Sequence, residues 1–232
     1  MANFVLVAGA WLGSWAWDDV VPELRAAGHG VHPVTLSGLA DKRGVAAGQQ
    51  THVQDIVDQV EHLDLGDVVL VGHSYSGIPV GQAAERIGDR LALVAFVDAN
   101  VPVDRESFLS AWPDGRDMVE TSIAENEGFW APLAVDDYEG QGLTAEQVHR
   151  IVDGSTPHPG ATLTESAHLL GSLGELPAVY IKCLLDGDEP SEEVAELLKS
   201  DHWRLVEMDT GHWPMFSQPR ELARILLKAA ER

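Results

Sequence analysis

Val68-Val69-Leu70-Val71-Gly72-His73-Ser74-Tyr75-Ser76-Gly77 is the stretch on which the reading of this chain turns. The apolar, largely β-branched residues 68–71 have the length and composition of a buried strand. A G-x-S-x-S-G element, the elbow pattern with Ser76 where a second glycine usually stands and Gly77 just after it, follows where that strand should end, and residues 78–90 read as a helix. A strand-to-helix turn this tight tolerates only small neighbours. Gly72, Ser76 and Gly77 meet that demand, and the Ser74 hydroxyl is left exposed beside the N–H of Tyr75. The stretch is therefore expected to be a nucleophile elbow, with Ser74 at its tip.

Outward from the elbow, short continuous apolar runs alternate with longer amphipathic ones, the pattern of a parallel sheet covered by helices on both faces. Six strands are expected, at 4–7, 31–35, 68–71, 91–97, 178–185 and 203–208. Val20, Val21, Leu24 and Ala27 recur at helical spacing within 17–27, before Gly28. Val53, Ile56, Val57, Val60 and Leu63 form one stripe over 53–63, and residues 221–230 make a final helix. The rhythm breaks between the fourth and fifth strands. Residues 102–177 contain Pro132, Pro157 and Pro159 with the aromatics Trp112, Phe129, Trp130 and Tyr138. A connection of that length is functional or disordered, and the aromatic content opposes disorder. The expected organisation is an α/β core of residues 1–101 and 178–232 with a helical cap or lid at 102–177 over the C-terminal edge of the sheet.

Composition narrows the partners. Among 232 residues, 37 acidic against 15 basic side chains give a net charge of −22, scattered rather than gathered in a tail. Nucleic acid and anionic membrane are poor partners for such a surface. A small-molecule substrate is expected, on a monomer or homodimer. Cys183, the single cysteine, lies in an apolar run and is expected to be buried and without redox chemistry. With no secretory h-region before the first strand and no apolar stretch of 18 residues, a cytoplasmic location is expected. No metal or cofactor motif is read.

A serine needs a base, and the base an acid to hold its tautomer. Of the ten histidines, His212 follows the last strand through Asp209-Thr210-Gly211, at the sheet edge where open α/β proteins gather their sites. The others fall inside the elbow (His73), near loop or strand starts (His29, His32, His52, His202), on a helix (His62) or in the insertion (His149, His158, His168). Three carboxylates qualify as the acid: Asp186 just past the fifth strand, Asp188 two residues on, and Asp98 after the fourth. Asp186 is favoured, on a turn built by Gly187. An oxyanion hole needs two fixed N–H donors. Tyr75, after the nucleophile, and Ala10, in the Gly9-Ala10-Trp11-Leu12-Gly13 loop, are the candidates.

Taken together, these residues resemble the α/β-hydrolase superfamily, in the branch of plant methylesterases, hydroxynitrile lyases and their bacterial esterase relatives. Residues 4–11 with Trp15 and Trp17 look like that branch's opening motif and Ala26-Ala27-Gly28-His29 like its first-helix ending. Tyr180-Ile181-Lys182-Cys183 through Asp186 look like its acid strand, and Gly211-His212 with Pro219 like its histidine loop. The resemblance implies the α/β-hydrolase fold, a triad of Ser74, His212 and Asp186, and oxyanion donors at Ala10 and Tyr75. Two departures from the pattern stand out. Ala8 stands where the branch usually has a loop-supporting histidine. Trp213 and Gly9 replace the lysine and threonine that its hydroxynitrile lyases require, so cyanohydrin cleavage lacks the cation that would hold the leaving cyanide.

Trp11, Trp112, Phe129, Trp130 and Trp213 fall near the expected site and would suit a bulky apolar or aromatic group. The expected activity is cofactor-independent hydrolysis of a carboxylic ester or lactone through an acyl-enzyme on Ser74. The alternative is a non-hydrolytic use of the same fold, in ligand sensing, cyclisation or decarboxylation.

Overall fold

A computed structural model of the chain describes residues 1–231. Six parallel strands form the main sheet: β1 (Asn3–Val7), β2 (Gly30–Val34), β3 (Val68–His73), β4 (Leu91–Val97), β7 (Ala178–Cys183) and β8 (Trp203–Met208). Phe129–Trp130 (β5) and His158–Pro159 (β6) pair as a small antiparallel ribbon in the insertion. The main order is β2-β1-β3-β4-β7-β8. Because β1 and β3 are neighbours while β2 lies outside them, the connections reverse direction there. A crevice opens at the C-terminal ends of β1 and β3, the place where open α/β sheets bind ligands.

Period-two alternation assigns the core. Val5, Val7, Leu70, Val94, Phe96 and Tyr180 face one apolar cluster with the helices Gln49–His62 and Gly77–Ile87. Phe4, Leu6, Val69, Val71, Ala95, Val97 and Ile181 face the other, with the helices Val21–Ala26 and Pro219–Ala230. Strands covered on both faces have no polar side, which is why they read as unbroken apolar runs. Pro33, lacking an N–H, sits on the edge strand β2, where the missing donor leaves no gap in the ladder.

The elements deviate from expectation at their ends, each for a local reason. The first helix begins only at Val21, with Pro22 in its first turn, and a separate short turn covers Ser14–Trp17. The second starts four residues early, at Gln49, and stops at His62. Leu63 is therefore its C-cap, half exposed, and not part of the buried stripe. β7 ends at Cys183, and the residues Leu184–Asp186 form a 3₁₀ turn that carries Asp186 over the sheet edge. Residues 102–177 contain the helices Phe108–Ala111, Pro113–Glu125, Ala145–Gly154 and Ala161–Thr164 besides the ribbon.

Candidate active site

Ser74 sits directly after β3 with φ of 55°, in the left-handed region that a non-glycine residue occupies at a cost of order 1–3 kcal/mol. The surroundings enforce it. A Cβ on Gly72 would lie 3.1 Å from Gly77 Cα and from Val80 Cβ, and one on Gly77 would collide with the Asn100 carbonyl. Ser76 Oγ accepts from His73 N at 2.8 Å and sits 2.8 Å from Val7 O, so the second serine of the elbow ties it to β1. Asn100 N–H donates to Ser74 O at 3.1 Å.

The β1 loop approaches from the other side of the crevice. Gly9 is needed there, since a Cβ would fall 2.8 Å from Ser74 Cβ. Its N–H donates to His73 Nδ1 at 3.2 Å, and the Trp11 N–H donates to His158 Nδ1 at 3.3 Å. Trp11 itself has φ of 65°, and its carbonyl accepts from Thr156 N. Two buried histidines from elsewhere in the chain thus fasten the loop in which Ala8 stands. Between these fastened residues, the Ala10 N–H has no acceptor among the described residues, and Ala10 and Tyr75 both line the cavity beside Ser74.

His212 reaches the same cavity from the loop after β8. Its N–H donates to Gln141 Oε1 at 2.6 Å, and its carbonyl accepts from His73 Nε2 at 2.7 Å. Nδ1 faces two carboxylates: Asp98 Oδ2 at 2.7 Å and Asp186 Oδ2 at 3.1 Å. Burial alone would lower the imidazole pKa, but the hydrogen bonds and charges of Asp186 and Asp98 outweigh it and raise it to about 9. Asp186 responds in kind. Its partial burial would raise it, but bonding to His212, with the charges of His212 and Lys182, brings it down to about 2. Asp188 makes no contact with His212 among those described.

Asp98, Asp186 and His212 are also the single group of potential metal ligands that the described residues bring together, with donor atoms within 4.8 Å of one another. In the arrangement seen, Nδ1 is hydrogen-bonded to Asp98.

A cavity of about 410 Å³ opens above Ser74, a size suited to a small organic molecule. Trp11, Trp112, Trp130 and Trp213 line it, joined by Phe108, Met118, Leu133 and Asn100, for which the sequence offered no local signal. Trp11 and Trp130 pack with ring centroids 4.1 Å apart, and Trp213 stands edge-on to His212 at 5.0 Å. Phe129 does not line the cavity. Successive residues of a strand face opposite ways, so buried Trp130 points inward and Phe129 is left exposed.

Three residues that hold the site together were not singled out from the sequence. Gln141 and His158 carry no local signature. Lys182 does carry one, because a lysine inside an apolar run demands a buried partner.

A strained serine after the third sheet strand and a histidine after the last, meeting at one cavity, are the features of a hydrolase of the α/β type. The chain belongs to the alpha/beta hydrolase family, whose model matches residues 4–225. It is similar to the carbendazim hydrolyzing esterase of Nocardioides sp. (strain SG-4G), 33% identical over 241 residues and covering 97% of this chain and 98% of the relative. Methylesterase 1 of Arabidopsis thaliana is 28% identical over 259 residues, with 99% and 96% covered. Among solved structures, an extracellular alpha/beta-hydrolase from a Paenibacillus species, described as homologous to tobacco salicylic acid binding protein 2, superposes over 100% of both chains with a TM-score of 0.88 at 22% identity.

Proposed function

We propose that this carboxylic ester hydrolase cleaves esters or lactones of bulky apolar or aromatic small molecules through an acyl-enzyme on Ser74. The observation that carries the reading is the meeting of three features at one cavity: the strained Ser74, His212 with a carboxylate-bound Nδ1, and a wall of four tryptophans. In this scheme a carboxylate holds the hydrogen on Nδ1 and leaves Nε2 free to accept the Ser74 proton. The hydroxyl oxygen attacks the ester carbonyl, and the developing oxyanion is met by the N–H groups of Ala10 and Tyr75. His212 returns the proton to the leaving alcohol, and water then repeats the sequence to release the acid. Removing one such N–H donor costs about 3 kcal/mol in comparable sites. The relatives named esterases support the reaction class.

The test is labelling by a fluorophosphonate together with turnover of p-nitrophenyl esters and aromatic lactones. Wild type is expected to be labelled stoichiometrically and Ser74→Ala not at all, and labelling that survives in Ser74→Ala defeats the assignment. The cavity wall is tested separately by Trp130→Ala. It should lower kcat/KM for an aromatic ester by at least about tenfold more than for an acetate ester, because the lost contact is with the bulky group. Equal losses on both esters would take the aromatic wall out of substrate recognition.

A further inference from the structure

An imidazole Nδ1 carries one hydrogen, and two carboxylates here compete for it. We propose that Asp98, on the turn after β4, is the positioning residue that fixes the orientation and tautomer of His212, and that Asp186 is a second, solvent-facing carboxylate that contributes charge. This rests on the reading of His212 as the base.

Distance and immobility both favour Asp98. Its Oδ2 is 2.7 Å from Nδ1 against 3.1 Å for Asp186, and its side chain is 3% exposed against 41%. Water competes for the Asp186 carboxylate and leaves it free to turn. The Asp98 carboxylate is locked from every side. Oδ1 accepts from Lys182 Nζ at 2.9 Å and from the Cys183 N–H at 3.1 Å, so Oδ2 can face only His212. The backbone is fixed as well: Asp98 N–H donates to Ile181 O at 2.7 Å, and a φ of 43° turns the side chain back over the sheet edge.

Lys182 makes this burial tolerable. An uncompensated buried carboxylate costs several kcal/mol, whereas a paired and fully hydrogen-bonded one does not. Lys182 Nζ also donates to the Asp186 backbone carbonyl at 2.9 Å, so it bridges both acid-bearing turns. Asp98 is paired with Lys182, whereas the Asp186 side chain has no cation closer than the imidazole itself among the ion pairs of the described residues. The other titratable neighbour, His73, meets the His212 carbonyl through Nε2 and stays neutral in its burial. Asp98 therefore governs geometry, while both carboxylates raise the affinity of His212 for its proton.

Asp98→Asn and Asp186→Asn separate the two roles. An asparagine amide at 98 can donate to Nδ1 and stabilise the tautomer protonated on Nε2, which cannot accept from Ser74. Asp98→Asn should lower kcat and the fluorophosphonate labelling rate about 10³- to 10⁴-fold with KM within about threefold. Asp186→Asn should cost less than about thirtyfold and move the rising limb of the pH–rate profile to lower pH. The far-downfield Nδ1–H proton resonance should persist in Asp186→Asn and vanish in Asp98→Asn. Because Asp98→Asn leaves the Lys182 charge buried alone, the double variant Asp98→Asn/Lys182→Met is measured alongside, with its thermal midpoint. The inference predicts a folded, unlabelled protein.

Recovery of labelling in that double variant, or an equal or greater loss in Asp186→Asn, overturns the proposal. If neither Asp98 variant folds, Asp186→Asn decides alone: a thousandfold loss, or disappearance of the downfield resonance, overturns it. Ser74→Ala distinguishes the two levels. Activity surviving there defeats the hydrolase reading itself. An inactive Ser74→Ala beside an active Asp98→Asn defeats only the assignment of Asp98.

Discussion

Ser74 is held in the left-handed region by its neighbours, and Gly77 is the residue on which that constraint rests most directly. A methyl group at 77 would meet the Asn100 carbonyl and the Ala99 Cβ, backbone and packed core that cannot swing aside. Gly77→Ala should therefore destabilise the protein by about 2 kcal/mol or more and lower kcat along with it, read from urea unfolding and ester turnover. A stable and fully active Gly77→Ala would show that the elbow has slack which the packing denies. This part of the site was legible because its causes are local: glycines and a serine in fixed register with one strand end. Asp98 and Lys182 were harder to read. Their meeting depends on the pairing of β4 with β7, which sets Val97 opposite Ile181, across more than 80 residues of sequence. Lys182 announced a buried partner, but sequence spacing does not say which carboxylate the register delivers.

At the scale of elements, the helix Gln49–His62, the elbow and the insertion are joined by a buried polar network beneath the cavity. His52 Nε2 donates to Ser37 O at 2.8 Å, leaving Nδ1 to accept from the Tyr75 hydroxyl at 2.9 Å. The Thr162 hydroxyl donates to Pro159 O, so His158 Nε2 must donate to Thr162 Oγ1. That choice leaves His158 Nδ1 as the acceptor for Trp11 N–H, and one tautomer satisfies all of these contacts. Tyr75→Phe removes the donor to His52 and strands a buried nitrogen. The expected cost is about 1–3 kcal/mol in thermal or urea unfolding, with kcat changed less than about threefold because the backbone N–H of residue 75 survives. A large loss of kcat at unchanged stability would instead give the phenol a direct role in the reaction. None of this network was visible in the sequence. The two-residue ribbon that brings His158 opposite Trp130 has no hydrophobic period, whereas the six sheet strands and the long helices are legible because burial on both faces, or along one stripe, is written into residue order.

Across the whole molecule, the sheet edge that gathers the site also concentrates histidines with opposite electrostatic demands, and these set two different pH windows. Burial, with the charge of His212 nearby, brings His73 down to about 3, and burial also brings His52 down to about 4 and lowers His158 well below the usual imidazole range. Unfolded histidines titrate near 6.5. Below that pH the unfolded chain binds protons that these three sites refuse, so stability falls by up to about 1.4 kcal/mol per pH unit for each of them. His212 has the opposite sign. Raised to about 9, it adds stability that is fully present below pH 6.5 and is lost as pH rises through 9. Yet the base must be neutral to accept the Ser74 proton, so kcat/KM should climb with pH along a limb centred near 9 while His212 is giving up its stabilisation. With total stabilities of 5–15 kcal/mol typical of single domains, three refused protons are enough to unfold the protein between about pH 5 and 3. Far-UV circular dichroism against pH, combined with a kcat/KM profile from pH 6 to 10, checks both halves. An acid midpoint below pH 3 would mean that the three histidines take up protons inside the fold. A rate profile already flat at pH 7 would mean that the paired carboxylates fail to hold the proton on His212.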